Sequence, residues 1–222
     1  MHTYFHIDFG GFKLNKVIKY FVFSDLIFLG GWGLIGPIFS IFILEKISGA
    51  TLVTVGIVSA IYWVVKSLVQ IPVAVFIDKR EGEKDDFYVL VFSLLLAGFS
   101  AMMFLTVHTI TGLYLVQFIY AVAMGFYIPS WSAIFSRHAD KTHAAFNWSL
   151  DSTIVGFAYG TTALIGGVIG KIFGFQTIFI LVGILSFIGA FMLLSVPHLI
   201  LPKIISEKTE TFRDHTPANL GR

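Results

Sequence analysis

The stretch that decides the fold runs from Ser59 to Asp86 and reads SAIYWVVKSLVQIPVAVFIDKREGEKDD. Its first part is apolar enough to cross a bilayer, yet it contains Lys66 and Gln70, four residues apart and therefore on one face of a helix. After Ile77 it ends in a cluster of acidic and basic residues that is too polar for the hydrocarbon. Because a lysine inside a bilayer is costly and usually functional, the stretch predicts a membrane helix with one functional face, followed by a loop.

The composition of the whole chain is that of an integral membrane protein. Hydrophobic residues make up 56% of the chain and charged residues 13%, whereas charged residues are about 25% of an ordinary soluble domain. The absence of cysteine excludes disulfides, thiolate metal sites and cysteine nucleophiles. The sequence contains no phosphate-binding loop, nucleophile elbow or zinc-protease signature. We therefore predict neither an enzyme nor a cofactor, and no nucleic-acid partner.

Six segments are long and apolar enough to span the bilayer, which takes about 20 residues at about 1.5 Å each. Short loops join them, so consecutive helices run antiparallel and both termini lie on one side. We predict an all-α polytopic membrane protein with an N-terminal segment over 1–19, a six-helix domain over 20–197 and a flexible tail over 198–222. Helices 1 to 6 are predicted over Tyr20 to Leu44, Ala50 to Ile77, Phe87 to Val107, Thr109 to Ser136, Phe146 to Gly170, and Phe175 to Val196.

The distribution of positive charge predicts the orientation. Twelve of the fifteen Lys and Arg residues fall on the side that holds both termini, Lys46 and Lys171 fall on the other, and Lys66 lies between. Since positive residues accumulate in cytoplasmic segments, we predict cytoplasmic termini and a location in the cell (inner) membrane. The twelve residues are Lys13, Lys16, Lys19, Lys79, Arg80, Lys84, Arg137, Lys141, Lys203, Lys208, Arg213 and Arg222.

Polar residues at depth occur in only four of the predicted helices. Helices 1, 2, 4 and 5 carry Asp25, Lys66, Gln117 and Asp151, whereas helices 3 and 6 have no acid, base or amide at depth, Gln176 being at the very start of helix 6. Polar groups in a membrane face a protein interior or a water-filled cavity, so the first four helices should line such a space. Helices 3 and 6 should then lie at the periphery, facing lipid on most sides. The pattern recurs after three helices, as in a 3+3 inverted repeat.

The same four helices contain most of the glycine and proline. In helix 5, Gly156 and Gly160 form a G-x-x-x-G pair, which permits close packing of helices. Two interpretations of these residues remain open, namely static close packing and flexible points in a moving helix.

Lys66 is the first candidate for a functional residue, because it lies about 17 Å from Ile77 along the helix, near the middle of the membrane. It is a candidate substrate or counter-ion site, with Gln70 as a hydrogen-bonding neighbour and Tyr62 and Trp63 available for stacking or cation contact. Two structural alternatives are an ion pair with an aspartate and a side chain that reaches the cytoplasmic interface.

Asp25 and Asp151 are the aspartates in question, each predicted about one and a half turns inside the cytoplasmic end of its helix. An acid near a helix N-terminus is favoured by the helix dipole, which is the structural interpretation. The functional interpretation is a carboxylate that accepts a proton or a cation during transport, or that locks an inward gate with Lys66.

Three segments resemble motifs of the major facilitator superfamily. Ala74 to Lys84 resembles its signature between helices 2 and 3, Gly-x-x-x-Asp-Arg-x-Gly-Arg-Lys, with Ala74 at the first glycine. Gln117 to Pro129 resembles its helix 4 motif, Arg-x-x-x-Gly-x-Gly-x-Gly-x-x-x-Pro, with Gln117 in place of the arginine linked to proton coupling. Thr162 to Gly167 is similar to the antiporter motif Gly-Pro-x-x-Gly-Gly, with Thr162 and Ala163 in place of Gly-Pro.

The resemblance implies a secondary transporter that works by alternating access between two six-helix halves, of which this chain matches the N-terminal one. A parallel homodimer would supply the second half by true two-fold symmetry. The expected partners are a small solute, with or without a coupling ion, and the lipid bilayer. The alternatives are the N-terminal half of a longer transporter and a non-transporting membrane scaffold.

The resemblance also implies a conformational latch in the loop after helix 2. The acid of the signature, Asp78, would face the start of helix 5 in the second copy, where the helix dipole favours a negative charge. The structural alternative is a solvated turn in which Asp85 or Asp86 caps helix 3. The latch residues are Asp78, Lys79, Arg80, Gly82 and Lys84.

The loop from Arg137 to His143 contains two histidines and an acid. The two histidines are five residues apart, so they do not share a helical face, and no third nitrogen ligand is evident. We therefore predict no metal site.

Overall fold

The computed structural model describes residues 16–79, 83–139 and 141–195, and these are almost entirely helical, with no strand among them. Six helices in this part of the chain are long and apolar enough to cross a membrane, which confirms the predicted fold class. Short 3-10 turns extend or join some of them. The helices are Lys16–Gly33 with Phe39–Lys46 (helix 1), Leu52–Asp78 (helix 2), Lys84–Met103 (helix 3), Ile110–His138 (helix 4), Ala144–Phe173 (helix 5) and Phe175–Leu194 (helix 6).

The helices pack in an order that leaves one side of the bundle open. Helix 2 packs on helix 4, helix 4 on helix 3, helix 3 on helix 6, helix 6 on helix 1, and helix 1 on helix 5. Helices 2 and 5 end this series and are the least covered: 11% and 6% of their most apolar windows are buried, against 44–50% for the others. The open side therefore lies between helices 2 and 5.

Helices 3 and 6 lie at the back of the bundle, away from the open side. The expectation that they face lipid on most sides is wrong, because about half of each apolar window is buried. Small residues allow the close contact: a Cβ added to Gly98 of helix 3 would come within 2.8 Å of the Phe187 ring of helix 6. Lack of polar residues in these helices thus reflects tight apolar packing as well as lipid contact.

Helix 1 is interrupted at Leu34 and Ile35, where the backbone makes tighter turns. The amides of Leu34 and Ile35 donate to the carbonyls of Gly31 and Trp32, and Pro37 follows, which has no amide hydrogen to continue the helical pattern. At this break the backbone of helix 1 comes against helix 5.

Two glycines make that close approach possible. A Cβ on Gly33 would meet the Tyr159 backbone at 3.0 Å, and a Cβ on Gly166 would meet the backbone of Leu34 at 2.8 Å. Close packing therefore explains these two residues. By contrast, a Cβ on Gly156 or Gly160 would meet no atom within 4 Å. The prediction that this G-x-x-x-G pair packs against a helix is wrong within the described bundle, because the pair lies on the open side.

Candidate functional site

A cavity of about 430 Å³ opens between helices 1, 2, 4 and 5, with one contribution from Phe104 at the end of helix 3. We call it the aromatic groove. Four helices thus contribute to it, as the distribution of polar residues led us to expect. Of the residues singled out in the sequence, Tyr62, Trp63 and Gln117 line it. Its other aromatic lining residues are Trp32, Phe39, Tyr120 and Tyr159.

Three rings of the groove form a nearly parallel stack. The ring centroids of Trp32 and Tyr120 are 3.8 Å apart at an interplanar angle of 18°, and those of Tyr62 and Tyr120 are 5.4 Å apart at 17°. Trp63 meets Tyr62 edge-on at 5.2 Å. The sequence reasoning missed Tyr120, although its position three residues after Gln117 places it on the same helical face.

Two polar groups in the groove are well buried. Gln117 is 5% exposed and Trp32 is 7% exposed. The indole N–H of Trp32 has no hydrogen-bond partner among the described residues. A buried donor of this kind is costly to leave unpaired, so a bound acceptor would satisfy it.

Lys66 lies beside the groove, with its Nζ atom 4.3 Å from the centroid of the Trp63 ring and 5.5 Å from that of Tyr62. Both contacts have the geometry of cation–π interactions. Among the described residues no carboxylate lies within ion-pair distance of Lys66, so the alternative of an ion pair with Asp25 or Asp151 is wrong in this conformation.

Gln70 follows Lys66 by one turn and is half-buried. Within the described chain it makes no hydrogen bond with Lys66, so the expectation of a bonded neighbour is also wrong. The reason is that Lys66 points toward the preceding turn, where Tyr62 and Trp63 lie, in the direction that long side chains favour in helices.

Asp25 and Asp151 lie in a separate polar cluster with Tyr127 of helix 4. Asp25 is 3% exposed and accepts a hydrogen bond from the Tyr127 hydroxyl. Asp151 is 8% exposed, and its Oδ1 atom has no hydrogen-bond partner in the described chain. Asp151 lies near enough to Asp25 and Tyr127 to interact electrostatically with both. No cation pairs with either of them among the described residues.

The helix dipole does not account for these two acids. Helix 1 begins at Lys16 and helix 5 at Ala144, so Asp25 and Asp151 are more than one turn inside their helices. Because the effect of the dipole falls off within the first turn, the structural interpretation offered above is wrong. Two buried carboxyl groups with no cation partner among the described residues are instead typical of a functional site in a membrane.

The polar cluster and the aromatic groove lie on the same faces of helices 1 and 4, at two different depths along the bundle. Asp25 and Trp32 are seven residues apart on helix 1, and Tyr127 and Tyr120 are seven apart on helix 4. Seven residues are about two turns, or about 10 Å, and return to the same face. The acids therefore lie about two turns from the aromatic groove, toward the end of the bundle where helix 1 begins.

The latch loop is described only in part. Asp78, Lys79 and Lys84 are exposed, and Arg80 and Gly82 lie outside the described residues. The prediction that Asp85 or Asp86 caps helix 3 is wrong, since the N-cap residue is Glu83 and makes no capping hydrogen bond through its side chain.

Two contacts instead connect this loop to the end of helix 4. Asp86 is 1% exposed and pairs with Arg137. Glu83 Oε2 lies 2.9 Å from Nε2 of His138. Sequence reasoning missed both pairs, although the clustering of these charges at one end of the bundle was a signal for them. No group of three potential metal ligands occurs among the described residues.

Comparison with known proteins places the chain in a family. Residues 21–217 match the Major Facilitator Superfamily. The chain is 24% identical over 178 residues to an uncharacterized MFS-type transporter of Methanocaldococcus jannaschii, covering 80% of this chain and 45% of that protein. A solved structure of the POT family transporter PepTSo has a similar fold, with a TM-score of 0.66 and 14% identity over 85% of this chain and 39% of that one.

The chain thus spans less than half the length of these two proteins. The match to the family covers nearly the whole chain, and it agrees with the six membrane helices and with the three motifs found in the sequence. The chain therefore belongs to the Major Facilitator Superfamily, a family of membrane transporters.

Proposed function

We propose that this chain forms one half of a carrier that moves a small solute across the membrane by alternating access. The observation that carries the proposal is the open side of the bundle, where the aromatic groove meets helices 2 and 5. In a lone bundle those helices and the nearby polar groups would face acyl chains, at a high cost for the charged ones. A second six-helix half over the open side would shield them and enclose the groove.

The second half is a second copy of the chain in the same orientation, forming a parallel homodimer. Close contact between the two copies is supported by Gly56 of helix 2 and by Gly156, Gly160 and Gly167 of helix 5. A Cβ added to any of them would meet no atom of its own bundle within 4 Å, which leaves room for a neighbouring helix. In this arrangement helix 2 of one copy runs along helix 5 of the other. The alternative is that the second half belongs to the same, longer polypeptide, which the length of the matched proteins favours.

Introduced cysteines distinguish these arrangements, since the chain has none of its own. A copy with G56C and one tag is mixed with a copy with G167C and another tag. A Cβ on either glycine would meet no atom within 4 Å, and each lies less than about 10 Å from the same end of the bundle. The homodimer predicts a mixed-tag product on oxidation, whereas F99C, on helix 3, should give none. A monomeric mass and no mixed-tag product would contradict it.

The roles within the carrier divide between the two levels of the bundle. Lys66, Gln117, Tyr62 and Trp63 contact the solute, and Gln70, one turn farther along helix 2, is a further candidate for solute contact. The carboxyl groups of Asp25 and Asp151 accept the coupling proton or cation.

The latch residues Asp78, Lys79, Arg80, Gly82 and Lys84 act at the cytoplasmic surface. Asp78 is exposed at the last residue of helix 2, where a second half would meet it. In the homodimer its partner is the N-terminal end of helix 5 in the other copy, which carries a partial positive charge. Both termini are cytoplasmic and the membrane is the inner one, as the positive-charge distribution predicts.

Flux into reconstituted vesicles tests the function. The proposal predicts saturable uptake of at least one solute from a broad panel, and strong loss of that uptake in K66M but not in K171M. A protein that is folded and inserted, yet gives no uptake of any solute above empty vesicles, would instead be a scaffold.

A further inference from the structure

The aromatic groove has a chemical character that points to a class of solute. Its walls are dominated by rings, three of them stacked within 18° of parallel. Such walls favour a flat aromatic body, because offset stacking adds to the gain from excluding water. The volume of about 430 Å³ is within the usual range of small-ligand sites.

The charges around the groove are of one sign. No Asp or Glu is among the described residues that line it. A cation lies beside it: the ammonium group of Lys66 contacts the rings of two lining residues, Tyr62 and Trp63, and is paired with no carboxylate of the described chain. The acids Asp25 and Asp151 lie about two turns away, in the polar cluster.

The groove also offers a donor that lacks an acceptor. The indole N–H of Trp32 is buried and has no hydrogen-bond partner in the part of the chain that the structure describes, although its ring stacks closely on Tyr120. An anionic oxygen is the strongest acceptor that a solute could bring to this N–H and to the Lys66 ammonium group.

We propose that the solute of this carrier is a small aromatic carboxylate, held in the groove against the stacked rings with its carboxylate toward Lys66 and the N–H of Trp32. This inference rests on the proposed function, because it takes the bound molecule to be the one that is transported. Binding itself can be measured without transport. Lys66 already lies against two rings, so a competing cation would meet a like charge and bind poorly.

Binding to the full chain in lipid nanodiscs tests this proposal. The probes are 2-naphthoate, 2-naphthamide and 2-naphthylmethylammonium, which share a ring system and differ in charge. Equilibrium dialysis, corrected with empty nanodiscs, measures each. We expect 2-naphthoate to bind saturably and about tenfold or more tightly than the amide, with the ammonium probe weakest.

Variants locate the binding. K66M should remove the preference for the anion, K66R should keep it, and K171M, at the far end of helix 5, should not alter it. W32F keeps a ring and removes the N–H, so it should weaken 2-naphthoate several-fold. This variant and K66R remain informative if K66M is not monodisperse.

The proposal is overturned if the ammonium probe binds tightest, if K66M keeps the full preference, or if folded protein binds none of the probes. Flux experiments separate it from the carrier proposal. Lys66-dependent uptake of another solute without naphthoate binding refutes this inference alone. Naphthoate binding by a protein with no flux supports the inference and refutes the carrier.

Discussion

The close approach of helices 1 and 5 makes a sharp prediction for two neighbouring glycines of helix 5. In G166A the new methyl group would lie 2.8 Å from the carbonyl carbon and Cα of Leu34 and would overlap its carbonyl oxygen. These are backbone atoms, so no side-chain rotation relieves the contact. In G167A the methyl group would meet no atom within 4 Å.

The magnitude follows from comparing the two variants. Both share the gain in helix propensity from Gly to Ala, about 1 kcal/mol at most, so their difference isolates the contact. Overpacking of this kind costs roughly 1–3 kcal/mol, and we take about 2 kcal/mol here. At about 2–4 °C per kcal/mol for a chain of this size, G166A should melt about 4–8 °C below G167A.

The assay is thermal unfolding in detergent, at a concentration where the chain is monomeric, so that only contacts within one bundle count. G167A should melt at or above the temperature of the unchanged protein. Equal melting of G166A and G167A would refute the packing of helix 1 on helix 5 as described. A melting temperature lowered by the same amount in G166A and G167A would likewise refute this packing.

Two further predictions concern the buried polar contacts. R137M removes the partner of Asp86, which is 1% exposed, and should cost about 1–3 kcal/mol in unfolding free energy. The double variant with D86N should cost less than the sum of the single changes, and strict additivity would show that the pair is not coupled. D25N should make solute uptake insensitive to an imposed pH gradient, whereas Y127F should retain that dependence with an altered rate. Unchanged pH dependence in D25N would leave Asp25 a structural role only.

Much of the fold was predictable because each helix needs only length and hydropathy to be recognised. Gly36 and Pro37 were a signal in the sequence for the break in helix 1. The placement of polar residues on helices 1, 2, 4 and 5 identified the helices that line the groove. Such features depend on a few neighbouring residues, or on which residues share one face of a helix. Both can be seen directly from spacing in the sequence.

Contacts between side chains of different helices were not predictable. Spacing in the sequence shows which residues share a helical face, but not which helix that face contacts. Asp25 and Tyr127 are 102 residues apart and Asp86 and Arg137 are 51 apart. Which side chains meet depends on how far the helices are rotated and shifted against one another. For the same reason, spacing could not decide between the alternatives for Lys66, which lies against two rings and not against an acid. Nor could it show that Gly156 and Gly160 face the open side of the bundle.

In a carrier of this kind, the space beside helices 2 and 5 contains water rather than lipid. The most direct measurement is the reaction of S59C, which lies in the aromatic groove, with a membrane-impermeant thiol reagent in proteoliposomes. F99C, exposed at the back of helix 3, is the lipid-facing control. We expect S59C to react and F99C not to react. If S59C is as unreactive as F99C from both sides of the membrane, the groove faces lipid and the carrier described above is wrong.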